Sequence, residues 1–212
     1  MLLDLVRQFR RAVDPITLAR DCGLEPDHWQ AEFLSSSSRR VLMCCSRQAG
    51  KSTITALAAL HEALYAAPAM VILISPSQTQ SVEIFKKTHD FWSKLPDAPS
   101  ATQENLTRLE LANGSRIISL PGGEKTVRGY SGATLVIMDE AARVEDALVA
   151  AVRPMLATTN GRFIALTTPA GKRGWFYEEW MRGEGWERVS VTAKECPRIS
   201  PEFLAAEKAA LL

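Results

Sequence analysis

Four apolar stretches of strand length organise the chain: residues 40–45 (RVLMCC), 70–75 (MVILIS), 134–139 (TLVIMD) and 161–167 (GRFIALT). Each is nearly continuous in β-branched and other apolar residues, the pattern of parallel strands buried on both faces. An alanine-rich segment, 51–66, follows the first, and a second helical pattern, 78–94, follows the next. This rhythm of strand and helix predicts a three-layer α/β sheet. Between residues 105 and 120 the pattern shifts to short strands around Asn113-Gly114, a hairpin signal, so a small antiparallel excursion is predicted at that edge. The opening MLLDLVRQFRRAV reads as an amphipathic helix with an early acid, not as an export signal. Serines 35–38 read as a solvated loop, and Pro68, Pro96, Pro99 and Pro121 with Gly122-Gly123 punctuate the remaining connections.

Composition narrows the class. With 212 residues, 46% hydrophobic content and a net charge of +1, the chain reads as one globular domain or at most two small ones. Its apolar runs are too short and too broken for a membrane span. The near-zero charge excludes a globally basic nucleic-acid binder and leaves local patches. Lys86-Lys87 and Lys172-Arg173 are such pairs, able to meet phosphates or simply to form solvated faces. The four cysteines, Cys22, Cys44, Cys45 and Cys196, fit neither a disulfide framework nor paired metal-ligand spacing, and read as reduced, mostly buried thiols.

The candidate chemistry begins at CCSRQAGKST, residues 44–53. It ends as a phosphate-binding loop ends, but Cys45 stands where the general signature has its first glycine. A Gly-Lys-Ser/Thr triplet alone arises by chance in roughly one chain of this length in ten, so its surroundings must carry the assignment. They do: a buried strand precedes the loop and a helix opens at Lys51. There, backbone N–H groups and the positive helix end face phosphates, Lys51 reaches the β- and γ-phosphates, and Ser52 offers a hydroxyl to Mg²⁺. The strand 134–139 then delivers Asp139 and Glu140 at its carboxyl end, where parallel sheets bind ligands. Asp139 suits Mg²⁺ and Glu140 suits a general base toward water; the same acids also suit a helix N-cap. Thr167-Thr168-Pro169 ends the next strand with hydroxyls that can meet the γ-phosphate or the attacking water, or can simply terminate the strand. Arg47, inside the loop, and Arg128, on a glycine-rich segment ahead of the acids, are candidates to stabilise charge on a transferring phosphoryl group. Either also suits a surface ion pair. Upstream, Gln30 has an amide able to read an adenine edge, and Trp29 is suited equally to covering the base or to the core.

Together SRQAGKST, VRGYSGATLVIMDEAA and TTP, with PDHWQ upstream, resemble the ATPase domain of the large terminase subunit of tailed bacteriophages, over about residues 20–180. That family carries a deviant loop with an early basic residue, which is where Ser46-Arg47-Gln48 departs from the general consensus. The resemblance implies a P-loop NTPase fold of the ASCE, RecA-like kind, with a mainly parallel sheet, helices on both faces and an antiparallel edge hairpin. It implies that Gln30, with Trp29 nearby, meets the adenine. Ser46, Gln48, Ala49, Gly50, Lys51, Ser52 and Thr53 would form the nucleotide loop, Ser52 and Asp139 the Mg²⁺ site, and Glu140 the base. Thr167 and Thr168 would couple hydrolysis to movement, with Arg47 acting in its own subunit or Arg128 presented to a neighbour.

The same resemblance implies ATP and Mg²⁺ as cofactors and double-stranded viral DNA, a portal protein and a small terminase subunit as partners. It implies a homo-oligomeric ring when assembled, a monomer when isolated, no membrane, and the cytoplasm of the infected bacterial host. Residues 1–200 would form the ATPase domain, with 1–25 as a helical extension, and 201–212 would start a linker toward a nuclease domain that is missing here. Two alternatives stand beside it. A superfamily 2 helicase-type translocase shares the glutamine, the Gly-Lys-Ser/Thr and the acids but needs a second motor domain, and Thr-Thr-Pro suits it less well. A non-hydrolysing nucleotide-binding assembly module is opposed by Glu140.

Overall fold

The computed structural model describes residues 2–123 and 127–210. Among them, β1 (Arg40–Cys45), β2 (Met70–Ser75), β3 (Ala101–Glu104), β4 (Arg108–Leu111), β5 (Arg116–Pro121), β6 (Leu135–Met138), β7 (Arg162–Thr167) and β8 (Glu187–Val191) form one sheet. Their spatial order is β3-β4-β5-β2-β6-β7-β1-β8. The six strands from β5 to β8 in that order pair in parallel, and β3 and β4 continue the sheet antiparallel at one edge.

Side-chain parity explains the layers. Successive strand residues point to opposite faces, and here both faces are core. Val41, Met43, Val71, Leu73, Leu135, Ile137, Ile164 and Leu166 join one cluster; Leu42, Ile72, Ile74, Val136, Met138, Phe163 and Ala165 join another. The first cluster is closed by α2 (Pro15–Asp21), α3 (His28–Ser35), α4 (Lys51–Tyr65) and α5 (Gln78–Ser93), through residues such as Leu18, Phe33, Leu57 and Ile84. The second is closed by α6 (Asp146–Val152) and α7 (Gly174–Arg182), through Leu148, Trp175 and Phe176. Alanines 56, 58, 59 and 63 on α4 are buried, and their small side chains let the helix sit close on the sheet. The predicted three-layer fold is present.

Local chemistry sets the boundaries. Ser77 caps α5 by accepting from Gln80 N–H, and Asp14 caps α2 by accepting from Ile16 N–H, with Pro15 at the first helical position. At the predicted hairpin Asn113 Oδ1 accepts from Ser115 N–H at 3.0 Å while Gly114 takes φ +84°, a left-handed conformation that suits glycine. Two strands were not predicted. β3 reads ATQE and is mostly exposed, and β8 alternates exposed and more buried positions along ERVSV. Neither offers the continuous apolar run that marks a central strand, because both lie at sheet edges with water beside them.

The N-terminal helix α1 (Leu2–Val13) forms as predicted but turns its apolar residues outward. Leu2, Leu3, Leu5, Phe9 and Val13 are exposed, and Arg11 is the buried residue. Arg11 bonds Asp21 at 2.6 Å and Asp97 at 2.7 Å. Burial works against its charge, but the two carboxylates outweigh that and hold the guanidinium protonated more firmly than usual. This doubly paired cation orients the helix in place of an apolar face.

Phe163 on β7 lies 6.2 Å from the Trp175 ring and 5.7 Å from the Trp186 ring, and is almost fully buried. Phe163→Ala leaves a cavity between two indoles and should cost about 3–5 kcal/mol. Urea denaturation should show this as a lowered midpoint at unchanged slope.

Candidate functional site

The sheet order inserts β7 between β1 and β6, so the carboxyl ends of these three strands are neighbours. Cys44 is level with Thr167, and Met138 with Ala165. Three turns leaving adjacent strands therefore converge on one lip of the sheet.

The first turn is residues 46–50. Ser46 N–H donates to Val191 O of β8 at 2.8 Å, and Gln48 and Gly50 take φ of +61° and +88°. Left-handed residues within such a turn bring successive N–H groups toward one side, forming a concavity for an anion. A Cβ on Gly50 would stand 2.6 Å from Gln30 Nε2 and 3.0 Å from Arg198 Nη2, so close approach as well as φ requires glycine here. Helix α4 starts at Lys51 and adds its positive end. Ala49 and Lys51 are buried, Ser46, Ser52 and Thr53 are half-buried, and Arg47 and Gln48 are exposed on the outer turn. The Ser46 hydroxyl is buried without a hydrogen-bond partner.

The second turn follows β6. Asp139 Oδ1 accepts from Glu140 N–H at 2.9 Å, while Oδ2 lies 3.4 Å from the Ser52 hydroxyl. Loop and acid strand thus meet through these two oxygens. Burial pushes the Asp139 carboxyl above its ordinary range; the bond from Glu140 N–H opposes this, the Glu140 charge adds to it, and Lys51 opposes it. Glu140 sits at φ +48°, a conformation that disfavours side chains and is held by its surroundings. Below it Trp175 Nε1 donates to Ala141 O at 2.9 Å, fixing the turn from the second core.

The third turn follows β7. Thr167 and Thr168 are buried, Thr167 Oγ1 donates to Thr168 O at 2.9 Å, and Thr168 Oγ1 reaches Glu140 Oε2 at 3.4 Å. A continuous polar path therefore runs from Ser52 through Asp139 and Glu140 to Thr168. Its oxygens suit a hard cation that keeps most of its waters, as Mg²⁺ does when held by one carboxylate and a hydroxyl. Among the described residues no group of three or more His, Cys, Asp or Glu side chains could hold a metal by itself.

The other sequence candidates are placed less simply. Gln30 is brought beside Gly50, but it is buried, and its Oε1 accepts from Asp27 N–H at 3.0 Å as the third residue of the α3 capping box. Trp29 is half-buried against the first core, with its Nε1 buried and unpartnered. Arg128 is exposed on a short turn after Val127, and Thr126 of the same motif lies outside the described residues. Lys172 and Arg173 are exposed beyond β7, and Lys86 pairs with Glu83 at 3.1 Å. All four cysteines are free thiols, three of them buried.

Sequence reasoning missed Arg143, whose Nε lies 3.5 Å from Glu140 Oε2. Its position three residues after Glu140 is a spacing that brings side chains together in a helical turn, so a signal existed. It also missed Arg198, which reaches the loop from 150 residues away and has no local signal.

A family model described as terminase large subunit, T4likevirus-type, N-terminal, matches residues 42–204. The chain belongs to this terminase family. The large terminase subunit of Thermus virus P23-45 is 31% identical over 85% of this chain and 41% of its own length. The terminase chain here thus spans less than half the length of that relative. Among solved structures, the Thermus phage P74-26 large terminase ATPase domain superposes with a TM-score of 0.76 at 21% identity, covering 90% of each chain. The large terminase of a thermophilic bacteriophage, solved in complex with ATP-gamma-S, gives 0.64 at 12% identity, covering 95% of this chain and 48% of that one. The terminase reading is favoured over the helicase-type and assembly-module alternatives.

The buried Asp139 sets a stability cost with a defined pH sign. Its folded pKa is raised, so the native chain binds this proton more tightly than the unfolded chain does. The carboxyl therefore costs stability above the raised pKa, and the cost fades as pH falls through it. Asp139→Asn should raise neutral-pH stability by on the order of 1 kcal/mol, or roughly 2–4 °C in Tm. Thermal melts at neutral and acid pH should show that gain shrinking on acidification, and a neutral-pH loss would contradict the sign.

Proposed function

We propose that this chain is the ATP-hydrolysing motor of a DNA-packaging terminase. The observation that carries this reading is the polar path from Ser52 through Asp139 and Glu140 to Thr168, at the mouth of a left-handed turn that opens a helix. Loop N–H groups and Lys51 would bind the β- and γ-phosphates, with Gly50 allowing the approach and Thr53 completing the helix start. Ser52 and Asp139 would hold Mg²⁺, which when bound neutralises charge on phosphoryl oxygens.

Glu140 would accept a proton from the attacking water. Its present partners suit that role: Thr168 orients the carboxylate, and Arg143 pairs with it while leaving it partly exposed. Thr168 also links the carboxylate to β7, a route by which loss of the γ-phosphate would shift a strand buried between two cores. Gln30, beside Gly50, and its neighbour Trp29 would meet the adenine. Arg47 in cis, or Arg128 in trans, would stabilise charge on the transferring group, an effect of roughly 10³ to 10⁵ in rate. A ring of such subunits would pass double-stranded DNA, with portal and small terminase subunit as further partners. Lys172-Arg173, exposed beyond Thr168, would offer charge to its phosphates.

Lys51→Ala should abolish nucleotide binding or turnover, and Glu140→Gln should keep ATP binding while lowering turnover by about 10² to 10⁴. Normal turnover in either variant would refute the site; ATP binding without turnover in the wild-type chain would favour the non-hydrolysing module. For the finger, Arg128→Ala protein is mixed with Glu140→Gln protein in a steady-state ATPase assay. Recovered activity is the trans result, and no recovery points to Arg47.

A further inference from the structure

The carbonyls of the phosphate loop need partners as much as its N–H groups do. If the loop aims its N–H groups at an anion, the neighbouring carbonyls face away from it, and each then needs a donor or water. The segment after β8 supplies donors. Glu195 Oε2 accepts from Thr192 N–H at 2.7 Å and from Thr192 Oγ1 at 2.8 Å, a capping box that turns the chain back across the outside of the loop. From this strap Arg198 Nη2 donates to Ala49 O, Arg198 Nε donates to Gln48 O at 3.4 Å, and Cys196 Sγ donates to Gln48 O at 3.6 Å.

The same guanidinium forms an ion pair with Asp27 at 2.7 Å. Asp27 caps α3, and Gln30 of that cap packs on Gly50. One fork therefore joins three separate pieces: the phosphate loop, the start of the helix carrying Trp29 and Gln30, and the strap beyond the last strand. A lysine could not repeat this, since two carbonyls accept from different nitrogens of one planar group whose charge also faces the Asp27 carboxylate.

We propose that Arg198 is a positioning residue for the nucleotide, holding the Gln48 and Ala49 carbonyls outward so that the Gly50 N–H and the start of α4 can face the phosphates, with Asp27 paired to its guanidinium. This rests on the phosphate-loop reading above. Arg198 is 43% exposed, and exposed ion pairs add little to folding stability. The effect should therefore appear in ligand affinity rather than in Tm.

The test uses the full chain and isothermal titration with Mg·ATP and, separately, inorganic tripolyphosphate, on wild type, R198A, R198K, D27N and the D27N/R198A double variant. R198A should weaken both ligands by roughly tenfold, the scale of losing a charge-assisted hydrogen bond, with Tm nearly unchanged. R198K should recover only part of the loss, and the double variant should bind no more weakly than R198A, because the two residues act as one unit. Several results would overturn the proposal: wild-type affinity in R198A, a loss confined to ATP that would place Arg198 against the base, additive losses in the double variant, or a Tm fall matching the affinity loss. If R198A does not fold, R198K and D27N decide it, and unchanged tripolyphosphate affinity in both counts against it. Wild-type protein that binds neither ligand would instead remove the phosphate-loop reading on which the proposal stands.

Discussion

Alternate residues of β1, β2, β6 and β7 are buried in two different cores, so neither face of the central sheet is open to a ligand. Polar chemistry is confined to the strand ends, and the parallel arrangement places the carboxyl ends of β1, β7 and β6 on the same side. The site depends on that constraint. Phosphate loop, acid pair and threonine pair occur in separate parts of the chain, and they meet because their strands are adjacent and cannot shift register. A slip of one residue would exchange the two cores and turn apolar side chains into the wrong layer.

The lip is costly ground for polar groups. Lys51, Asp139, Thr167 and Thr168 are all buried, and Glu140 holds a left-handed backbone. The acids and Thr168 are tolerated because they are paired: Ser52 with Asp139, Asp139 with the Glu140 N–H, Glu140 with Thr168 and Arg143. Local rules broken on adjacent residues fit a functional site. Here the rules broken are desolvation at Asp139 and backbone strain at Glu140, on neighbouring residues.

Gln30 shows how one side chain can stand beside the loop and also serve a helix cap. The sequence placed it ahead of the first core strand as a side chain for the adenine; in the fold it touches Gly50 but turns its carbonyl oxygen into the α3 cap. The position follows from chain order, whereas the orientation follows from the competing claim of an unsatisfied Asp27 N–H. Arg11 makes a similar point for α1. The apolar pattern predicted a helix, but two acids, one of them 86 residues distant, decided which side of it faces the protein.

Residue order alone made legible the central strands, the two helices that follow β1 and β2, the hairpin at Asn113-Gly114 and the candidate loop, acid pair and threonine pair. These are legible because each is a local pattern: a run of buried residues, a period, or a motif within a few positions. The edge strands β3 and β8 were not, since a strand with one wet side carries no continuous apolar run. Folding alone sets β7 between β1 and β6, brings Ser52 to 3.4 Å from Asp139, and carries Arg198 to the loop from far along the chain. Those contacts join residues 87 and 149 positions apart, and they exist because packing two cores against one sheet fixes which strand ends are neighbours.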